Sequence, residues 1–572
     1  MDAIKMNYER WLTSNVVNEE EKKTLKAMSK EEIADAFYTN LVFGTGGMRG
    51  VLGPGKNRIN RFTIAKATIG FGLYLASNNP NKEKAGVVIS HDNRYGSREF
   101  TLLCASILNK MGFNVYIFDA LRPTPELSYA VRYKKALGGI MITASHNPKQ
   151  YNGYKIYNEM GCQLVPSEVN GLLKFIDSLP DELDCQVPEH KEPGKTIVLD
   201  NEVDDSYVKE VEGIQIHPEL NKKDFKIVYS PQHGASYETA MRVFLDLGYD
   251  VHPVVKQCNH DPAFGGTLSP NPEMAESFIE SLKLAKEIGA DLCVMTDPDG
   301  DRCGLAYLSS KGTYERFTGN QSAALLMDYI FSERKKMGLL SHNGVMYDTI
   351  VTSDLGRKIA KAFNVSNESF LTGFKYIGDR IDYYEKIGHG PHFEFGYEES
   401  YGCLIAPFVR DKDGVQAILL YSEMALFYKL QNIPLDIAYE NLEKKYGYHE
   451  TFTESVYFEG PEGAKIMADI MNKLHQNPPT VIKDKKIAII EDYKKRLSTN
   501  LLKGVTNALS LEEAEVVRLI FEDTSWIAIR PSGTEPKCKF YVEVFQKTKD
   551  GITEEAHSLV AELEKELGVK KA

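Results

Sequence analysis

Hydrophobic positions along this chain follow two alternating rhythms, and the alternation recurs. The first clear run, Gly86-Val87-Val88-Ile89-Ser90, is continuously apolar and rich in β-branched residues, the pattern of a buried strand. A helical stretch from Arg98 to Met111 follows, with Leu102, Leu103, Ile107 and Met111 repeating near the helical period. Gly112 stops it, and Phe113-Asn114-Val115-Tyr116-Ile117 resumes a strand. After the Pro-rich turn Arg122-Pro123-Thr124-Pro125 and another helix, the run Gly139-Ile140-Met141-Ile142 leads into Thr143-Ala144-Ser145-His146-Asn147-Pro148.

The same grammar appears again. Phe225 to Tyr229 reads as a strand, Tyr237 to Leu247 as a helix, and Gly248-Tyr249-Asp250-Val251 echoes Gly112-Phe113-Asn114-Val115. A helix from Met274 to Lys286 then leads to the strand Asp291 to Thr296, which ends in Asp297-Pro298-Asp299-Gly300-Asp301-Arg302. A looser third copy has a strand at Val345 to Tyr347, a helix from Leu355 to Phe363, the stretch Gly373-Phe374-Lys375, and a strand Phe393 to Phe395 before Glu398-Glu399-Ser400-Tyr401-Gly402. Strands alternating with helices predict βαβ units and largely parallel sheets, whose ligands bind beyond the carboxyl ends of strands. Three copies therefore predict three α/β domains whose polar loops converge on one cleft.

Beyond residue 450 the pattern changes to mixed strands with the loop Arg530-Pro531-Ser532-Gly533-Thr534-Glu535-Pro536, and closes on an amphipathic helix from Thr553 to Leu567. This reads as a smaller α+β domain. Residues 1–40 read as a helical lead-in, with apolar stripes at Trp11, Leu12, Val16 and at Leu25, Met28, Ile33. The expected boundaries are 1–205, 206–318, 319–445 and 446–572, which suits a chain of 572 residues, too long for one core.

Net charge is −12, so no basic excess is available to neutralise a nucleic-acid strand, and an anionic substrate requires positive charge concentrated at its site. Eight scattered cysteines without C-x-x-C spacing read as reduced, mostly buried thiols. No run approaches membrane-spanning length and the N-terminus opens no apolar signal region, which leads to the expectation of a cytoplasmic protein.

Five stretches carry candidate chemistry. Ser145, at a strand end and beside the base candidate His146, is either a nucleophile or a cap for a backbone N–H; Lys155 follows ten residues later. Asp297, Asp299 and Asp301 place carboxylates at i, i+2 and i+4 where Pro298 and Gly300 discourage helix, a set that converges on a hard cation such as Mg²⁺. Arg302 and Leu308 stand where an EF-hand needs Gly and Glu, which excludes that motif. Arg530, with Ser532, Gly533 and Thr534, offers a fork, two hydroxyls and exposed backbone suited to a phosphate monoester. Glu398 with Ser400 either reads sugar hydroxyls or forms a surface turn. The glycine-rich stretch Gly44 to Gly50 either carries Arg49 to an anion or is a flexible loop.

In this order, Gly44–Gly50, Thr143–Pro148, Asp297–Arg302, Gly373–Lys375, Glu398–Gly402 and Arg530–Pro536 resemble the motifs of the α-D-phosphohexomutase family over nearly the whole chain. The resemblance implies three similar α/β domains with mixed, largely parallel sheets plus a C-terminal α+β domain like the TATA-binding protein, around a central cleft. It implies that Ser145 is a phosphoserine and that Asp297, Asp299 and Asp301, with Ser145, hold Mg²⁺. Lys155 matches the proton-transfer lysine, with His146 and Arg49 beside the serine. Glu398 and Ser400 are implied to bind the sugar, the Arg530 loop the substrate phosphate, and Arg302 and Lys375 to join the substrate-binding set. Glu398-Glu399-Ser400-Tyr401-Gly402 is similar to the loop of the glucose-converting members, which implies interconversion of α-D-glucose 1-phosphate and glucose 6-phosphate through glucose 1,6-bisphosphate. Tyr397, where that pattern has Gly, and the long chain leave mannose and pentose phosphates as alternatives. The expected partner is a small sugar phosphate, with no nucleic acid and no membrane, and the chain a monomer or homodimer. A non-catalytic sugar-phosphate sensor on the same fold would not need both the nucleophile and the aspartates.

Overall fold

The structure, a computed structural model, describes residues 3–44, 46–458, 460–531 and 537–569. Its packing forms two compact units: Met1–Gly319 with Phe374–Leu435, and Asn320–Gly373 with Asp436–Ala572.

The first unit contains two sheets built alike. In the six-stranded sheet the order is Gly47–Val51, Tyr151–Tyr157, Gly138–Ile142, Val87–His91, Val115–Ile117 and Thr196–Val198. The last four run parallel, whereas Tyr151–Tyr157 is antiparallel to Gly138–Ile142 and Gly47–Val51 antiparallel to Tyr151–Tyr157. The five-stranded sheet has the order Tyr314–Arg316, Cys303–Leu308, Leu292–Thr296, Lys226–Ser230, Asp250–Pro253. It switches in the same way, parallel on one side of Leu292–Thr296 and antiparallel on the other. Gly138–Ile142 and Leu292–Thr296 thus sit at the switch between the two pairings. Both are buried along their whole length, which explains their unbroken apolar runs. Ser145 and Asp297 follow their carboxyl ends. A third loop, carrying Glu398 and Ser400, joins the antiparallel strands His392–Glu398 and Gly402–Leu404.

Around the six-stranded sheet, helices Arg61–Asn78, Ser97–Lys110 and Pro166–Ser178 share one apolar core with Val87, Ile89, Ile140, Ile142 and Ile156. Asn60 caps the first of these by accepting from the N–H groups of Phe62 and Thr63. The expected helix Arg98–Met111 is present one residue earlier, and Leu102 faces solvent at 47% exposure, so its core stripe is carried by Phe100, Cys104, Ile107 and Leu108. The lead-in forms three short helices, Ala3–Thr13, Glu19–Ala27 and Lys30–Phe37. Trp11, Leu25, Ala36 and Phe37 pack with Phe62 and Leu183. Val16, expected in the stripe, is exposed, and Val17 is the buried residue, because the chain leaves the helix after Thr13.

The Gly44–Gly50 stretch is not a free loop. From Gly47 it is the outer strand of the six-stranded sheet, with Gly47 opposite Lys155 and Arg49 opposite Gly153. Gly47 has φ 144°, and a Cβ there would stand 2.0 Å from the Tyr154 carbonyl oxygen, so the close strand approach requires glycine.

In the second unit, Gly344–Thr349 and Ser366–Phe370 pair in parallel, with helix Asp354–Ala362 between them in sequence. The C-terminal region is an antiparallel sheet in the order Tyr448–Tyr457, Lys537–Gln546, Trp526–Pro531, Val517–Phe521, Lys485–Asp492, Leu497–Asn500, Val505–Ala508, with Val481–Ile482 beside Lys485–Asp492. Its core includes Ile470, Leu474, Ile527, Ile529, Phe540, Val542, Leu559 and Leu563, contributed by the sheet and by helices Gly460–Gln476 and Ile552–Leu567. Among the described residues no helix is long and apolar enough to cross a membrane, and no cysteine is paired in a disulfide.

Candidate active site

Ser145 lies three residues past Gly138–Ile142, buried at 3% exposure, with φ 51° in the left-handed region. Its N–H donates to the Thr143 hydroxyl at 2.8 Å. Its own hydroxyl donates to Asp297 Oδ2 at 2.7 Å and lies 3.1 Å from His146 Nδ1. Two loops from two sheets therefore meet at the serine, as placement at the carboxyl ends of the switch strands predicts.

Asp297, Asp299 and Asp301 are all buried, and each offers a carboxylate oxygen within 4.8 Å of the others'. The turn is held from inside: Gly300, at φ 71°, donates to the Asp297 carbonyl, and Asp297 Oδ1 accepts the N–H groups of Asp301 and Arg302 at 3.1 and 3.0 Å. Asp299 Oδ2 accepts from Lys155 Nζ at 2.7 Å and from the Thr124 hydroxyl at 2.9 Å. Asp301 Oδ2 pairs with Lys155 at 3.3 Å and Lys412 at 3.2 Å. The remaining oxygens, Asp299 Oδ1 and Asp301 Oδ1, are buried with no hydrogen-bond partner among the described residues. Buried carboxylate oxygens left open in a converging set fit a hard cation that takes oxygen ligands.

The charges of the cluster are strongly coupled. Burial, reinforced by Asp299 and Asp301, pushes the Asp297 carboxyl well above its usual range. Burial acts the same way on Asp301, but Lys412 and Lys155 outweigh it and hold that carboxyl below the usual range. Burial opposes the charge of Lys155, yet Asp299 and Asp301 prevail and raise its pKa, so it is an ammonium here. Burial first, then Arg302 and Arg49, push the His146 imidazole well below its ordinary value and keep it neutral.

Arg49 reaches the serine loop from the outer strand by donating to Asn147 Oδ1 at 2.8 Å. Arg302 donates to Glu273 at 2.9 Å. Glu398, buried at the end of its strand, acts electrostatically on both Arg302 and Lys412. Ser400 is half-buried in the turn between the two antiparallel strands, and Lys375 is buried at the first position of helix Lys375–Ile387. Tyr397 is fully buried in its strand beside Phe395. Arg530 belongs to the second unit, at the end of Trp526–Pro531, and donates to the Tyr541 hydroxyl at 3.5 Å. Ser532, Gly533 and Thr534 lie outside the described residues.

Sequence reasoning overlooked Thr124 and Lys412. Thr124 sits in the Pro-rich turn read only as a connection, yet its N–H also donates to the Asp299 carbonyl at 2.8 Å. Lys412 lies in the charged run Arg410-Asp411-Lys412-Asp413, all four of which are buried. Four consecutive charged residues look like a solvated surface in sequence. The Gly414 that follows is the only hint of close packing.

Four domain families match the chain in succession: phosphoglucomutase/phosphomannomutase alpha/beta/alpha domain I over residues 40–181, domain II over 205–309, domain III over 318–446, and the C-terminal domain over 481–562. A phosphoglucomutase of Staphylococcus aureus (strain bovine RF122 / ET3-1) is 36% identical over 533 residues, 92% of this chain and 94% of its own. One from Staphylococcus epidermidis (strain ATCC 12228 / FDA PCI 1200) is 36% identical over 519 residues, 90% and 93% of the two chains. Among solved structures, the open form of pp63/parafusin, a phosphoglucomutase from Paramecium, aligns with a TM-score of 0.67 at 19% identity, covering 93% of this chain and 95% of that one. A phosphoglucomutase/phosphomannomutase family protein from Burkholderia thailandensis aligns with a TM-score of 0.64 at 16% identity, covering 93% and 99%. With these matches spanning the loops that form the cluster, the chain belongs to the phosphoglucomutase/phosphomannomutase family.

Proposed function

We propose that this protein is a phosphoglucomutase, interconverting α-D-glucose 1-phosphate and glucose 6-phosphate through a phosphoserine at Ser145 and a glucose 1,6-bisphosphate intermediate. The observation that carries the reading is the 2.7 Å contact between the Ser145 hydroxyl and Asp297, within a carboxylate set that leaves buried oxygens open. The Staphylococcus relatives, named phosphoglucomutases and 36% identical over most of the chain, support the choice of reaction.

Asp297, Asp299 and Asp301 would hold Mg²⁺, with the phosphoryl group on Ser145 as a further ligand. When bound, the cation supplies charge neutralisation at the transferring phosphoryl group and engages the carboxylates that Lys155 now pairs with. A sugar hydroxyl attacks phosphorus as the bond to Ser145 Oγ breaks, and the serine oxygen leaves. Lys155, in a buried site beside the serine loop, suits proton transfer at that hydroxyl: as the neutral amine it would take the proton of the attacking hydroxyl and, as the ammonium, return one to the leaving serine oxygen. Arg49 and Arg302 offer guanidinium donors to phosphate oxygens, and Glu398 with Ser400 offers acceptor and donor groups to the ring hydroxyls. Reorientation of the bisphosphate then presents its other phosphate to Ser145. Arg530 would bind a substrate phosphate through its guanidinium fork.

Tyr397, the departure from the glucose-type pattern, is buried in its strand beside Phe395, and mannose and pentose phosphates stand as the alternative substrates. The test compares kcat/KM for glucose, mannose and ribose 1-phosphates, each with its matching bisphosphate. The glucose value is expected to be highest; a higher mannose or ribose value would overturn the substrate and leave the serine mechanism standing.

A further inference from the structure

Ser145 is an L-residue held in the left-handed backbone region without the glycine or asparagine that usually occupies it. Such a conformation persists only where its surroundings over-determine it. The surroundings are Asp92 and Arg94, in the loop that follows Val87–His91, the strand next to the serine strand. Both side chains are fully buried.

The Arg94 guanidinium spends all five of its N–H donors locally. Nη2 donates to the carbonyls of Ser145 and Asn147, both at 2.5 Å. Nη1 donates to those of Pro148 and Tyr151 at 2.9 and 3.0 Å. Nε donates to Asp92 Oδ2 at 3.0 Å. That same Asp92 oxygen accepts the Thr143 hydroxyl at 2.7 Å, and Thr143 Oγ1 in turn accepts the Ser145 N–H. The other Asp92 oxygen accepts from the Arg94 N–H and the Ser97 hydroxyl at 3.0 and 2.9 Å. Both sides of Ser145 are therefore tied to one ion pair, its N–H through Thr143 and its C=O through Arg94. Only a planar fork spans carbonyls pointing from four residues of one loop; an ammonium donates from a single point.

We infer that Asp92, Arg94 and Thr143 are positioning residues that fix the Ser145 backbone, and hence the line along which its oxygen meets phosphorus. The inference rests on the phosphoserine reading above. Arg94 donates to none of the three aspartates, although its charge acts on Asp299 and Asp297; a change that keeps the charge and breaks the fork should therefore lower turnover while sparing substrate and metal affinity. Misplacement of a reacting atom by an ångström costs about 100-fold in rate.

The experiment uses the full chain as wild type, Arg94→Lys, Thr143→Val and Ser145→Ala, each checked for folding by circular dichroism and thermal midpoint. Expected for Arg94→Lys is a fall in kcat of about 100-fold with KM and Mg²⁺ affinity changed by no more than about threefold. Faster amide exchange across residues 143–151 should accompany it. Thr143→Val, which keeps the ion pair and removes one link, should show the same pattern at about 10-fold, and it decides the matter if Arg94→Lys does not fold. A kcat within about threefold of wild type in a folded variant overturns the inference, as does a loss of kcat matched by an equal rise in KM or fall in Mg²⁺ affinity. Turnover by Ser145→Ala would instead overturn the phosphoserine reading on which the inference rests.

Discussion

Gly414 is the position where a single methyl group should weaken the proposed cation site without touching any of its proposed ligands. It opens helix Gly414–Leu430, and its N–H donates to the Gly300 carbonyl at 3.0 Å. A Cβ built there stands 2.6 Å from the Gly300 carbonyl oxygen and 2.9 Å from that of Arg302. Against ordinary carbon–oxygen contact, the shortfall at Gly300 is roughly 0.8 Å. Both obstacles are backbone of the turn that carries Asp301, so no side chain can swing aside. Metal–oxygen geometry tolerates displacements of only about 0.2 Å. Gly414→Ala is thus expected to weaken Mg²⁺ binding by about 10- to 100-fold, the range seen when outer-shell support of a ligand is lost. Global stability should change less: overpacking costs about 1–3 kcal/mol, offset by up to about 1 kcal/mol gained from alanine over glycine in a helix. Calorimetric titration of the folded variant with Mg²⁺, beside a thermal melt of the metal-free protein, separates the two effects. A Mg²⁺ affinity within threefold of wild type in a folded Gly414→Ala protein would refute the packing argument.

Other expectations concern stability, pH and substrate. Trp11 is buried at 1% exposure and its indole N–H donates to Glu182 at 3.1 Å; Trp11→Ala should cost about 3–5 kcal/mol in denaturant unfolding, and a loss under about 1 kcal/mol would show that the lead-in helices are not anchored there. Burial raises the Asp413 carboxyl to about 6, although it caps helix Gly414–Leu430 and accepts the Tyr207 hydroxyl. Because this folded value lies above the unfolded one near 4, the native state binds the extra proton between them, and Asp413 makes stability fall as pH rises from about 4 to about 6. Asp413→Asn should flatten that part of the profile in pH-dependent unfolding, and an unchanged slope would count against the assignment. Arg530→Ala should raise KM for the sugar phosphate about tenfold or more while leaving Mg²⁺ affinity unchanged; the reverse pattern in steady-state kinetics and calorimetry would remove Arg530 from the phosphate site.

The apolar rhythm located the strands that matter because buried central strands leave an unbroken signature. Gly138–Ile142 and Leu292–Thr296 needed no tertiary information, and the loops after them contain the serine and the aspartates. Polar residues with purely tertiary roles left no such trace. The outer strand Gly47–Val51 was hidden because glycine depresses strand propensity, while the close approach to Tyr154 that demands glycine is visible only in three dimensions. Lys412 was hidden by its charged neighbours. Arg94 follows the end of a parallel strand, the same criterion that singled out Ser145. Its role depends on four carbonyls of a loop some fifty residues away, and backbone acceptors have no signature in sequence.

The central claim is that Ser145 carries the phosphoryl group between turnovers. The most direct measurement incubates the full-length protein with Mg²⁺ and glucose 1,6-bisphosphate, then maps phosphorylation by mass spectrometry while following conversion of glucose 1-phosphate to glucose 6-phosphate. One phosphoryl group on the peptide containing Ser145, transferred onto added glucose 1-phosphate or 6-phosphate, and neither label nor turnover in a folded Ser145→Ala protein, is the predicted result. Turnover with no phosphorylation of Ser145, or turnover that survives Ser145→Ala, would contradict the account.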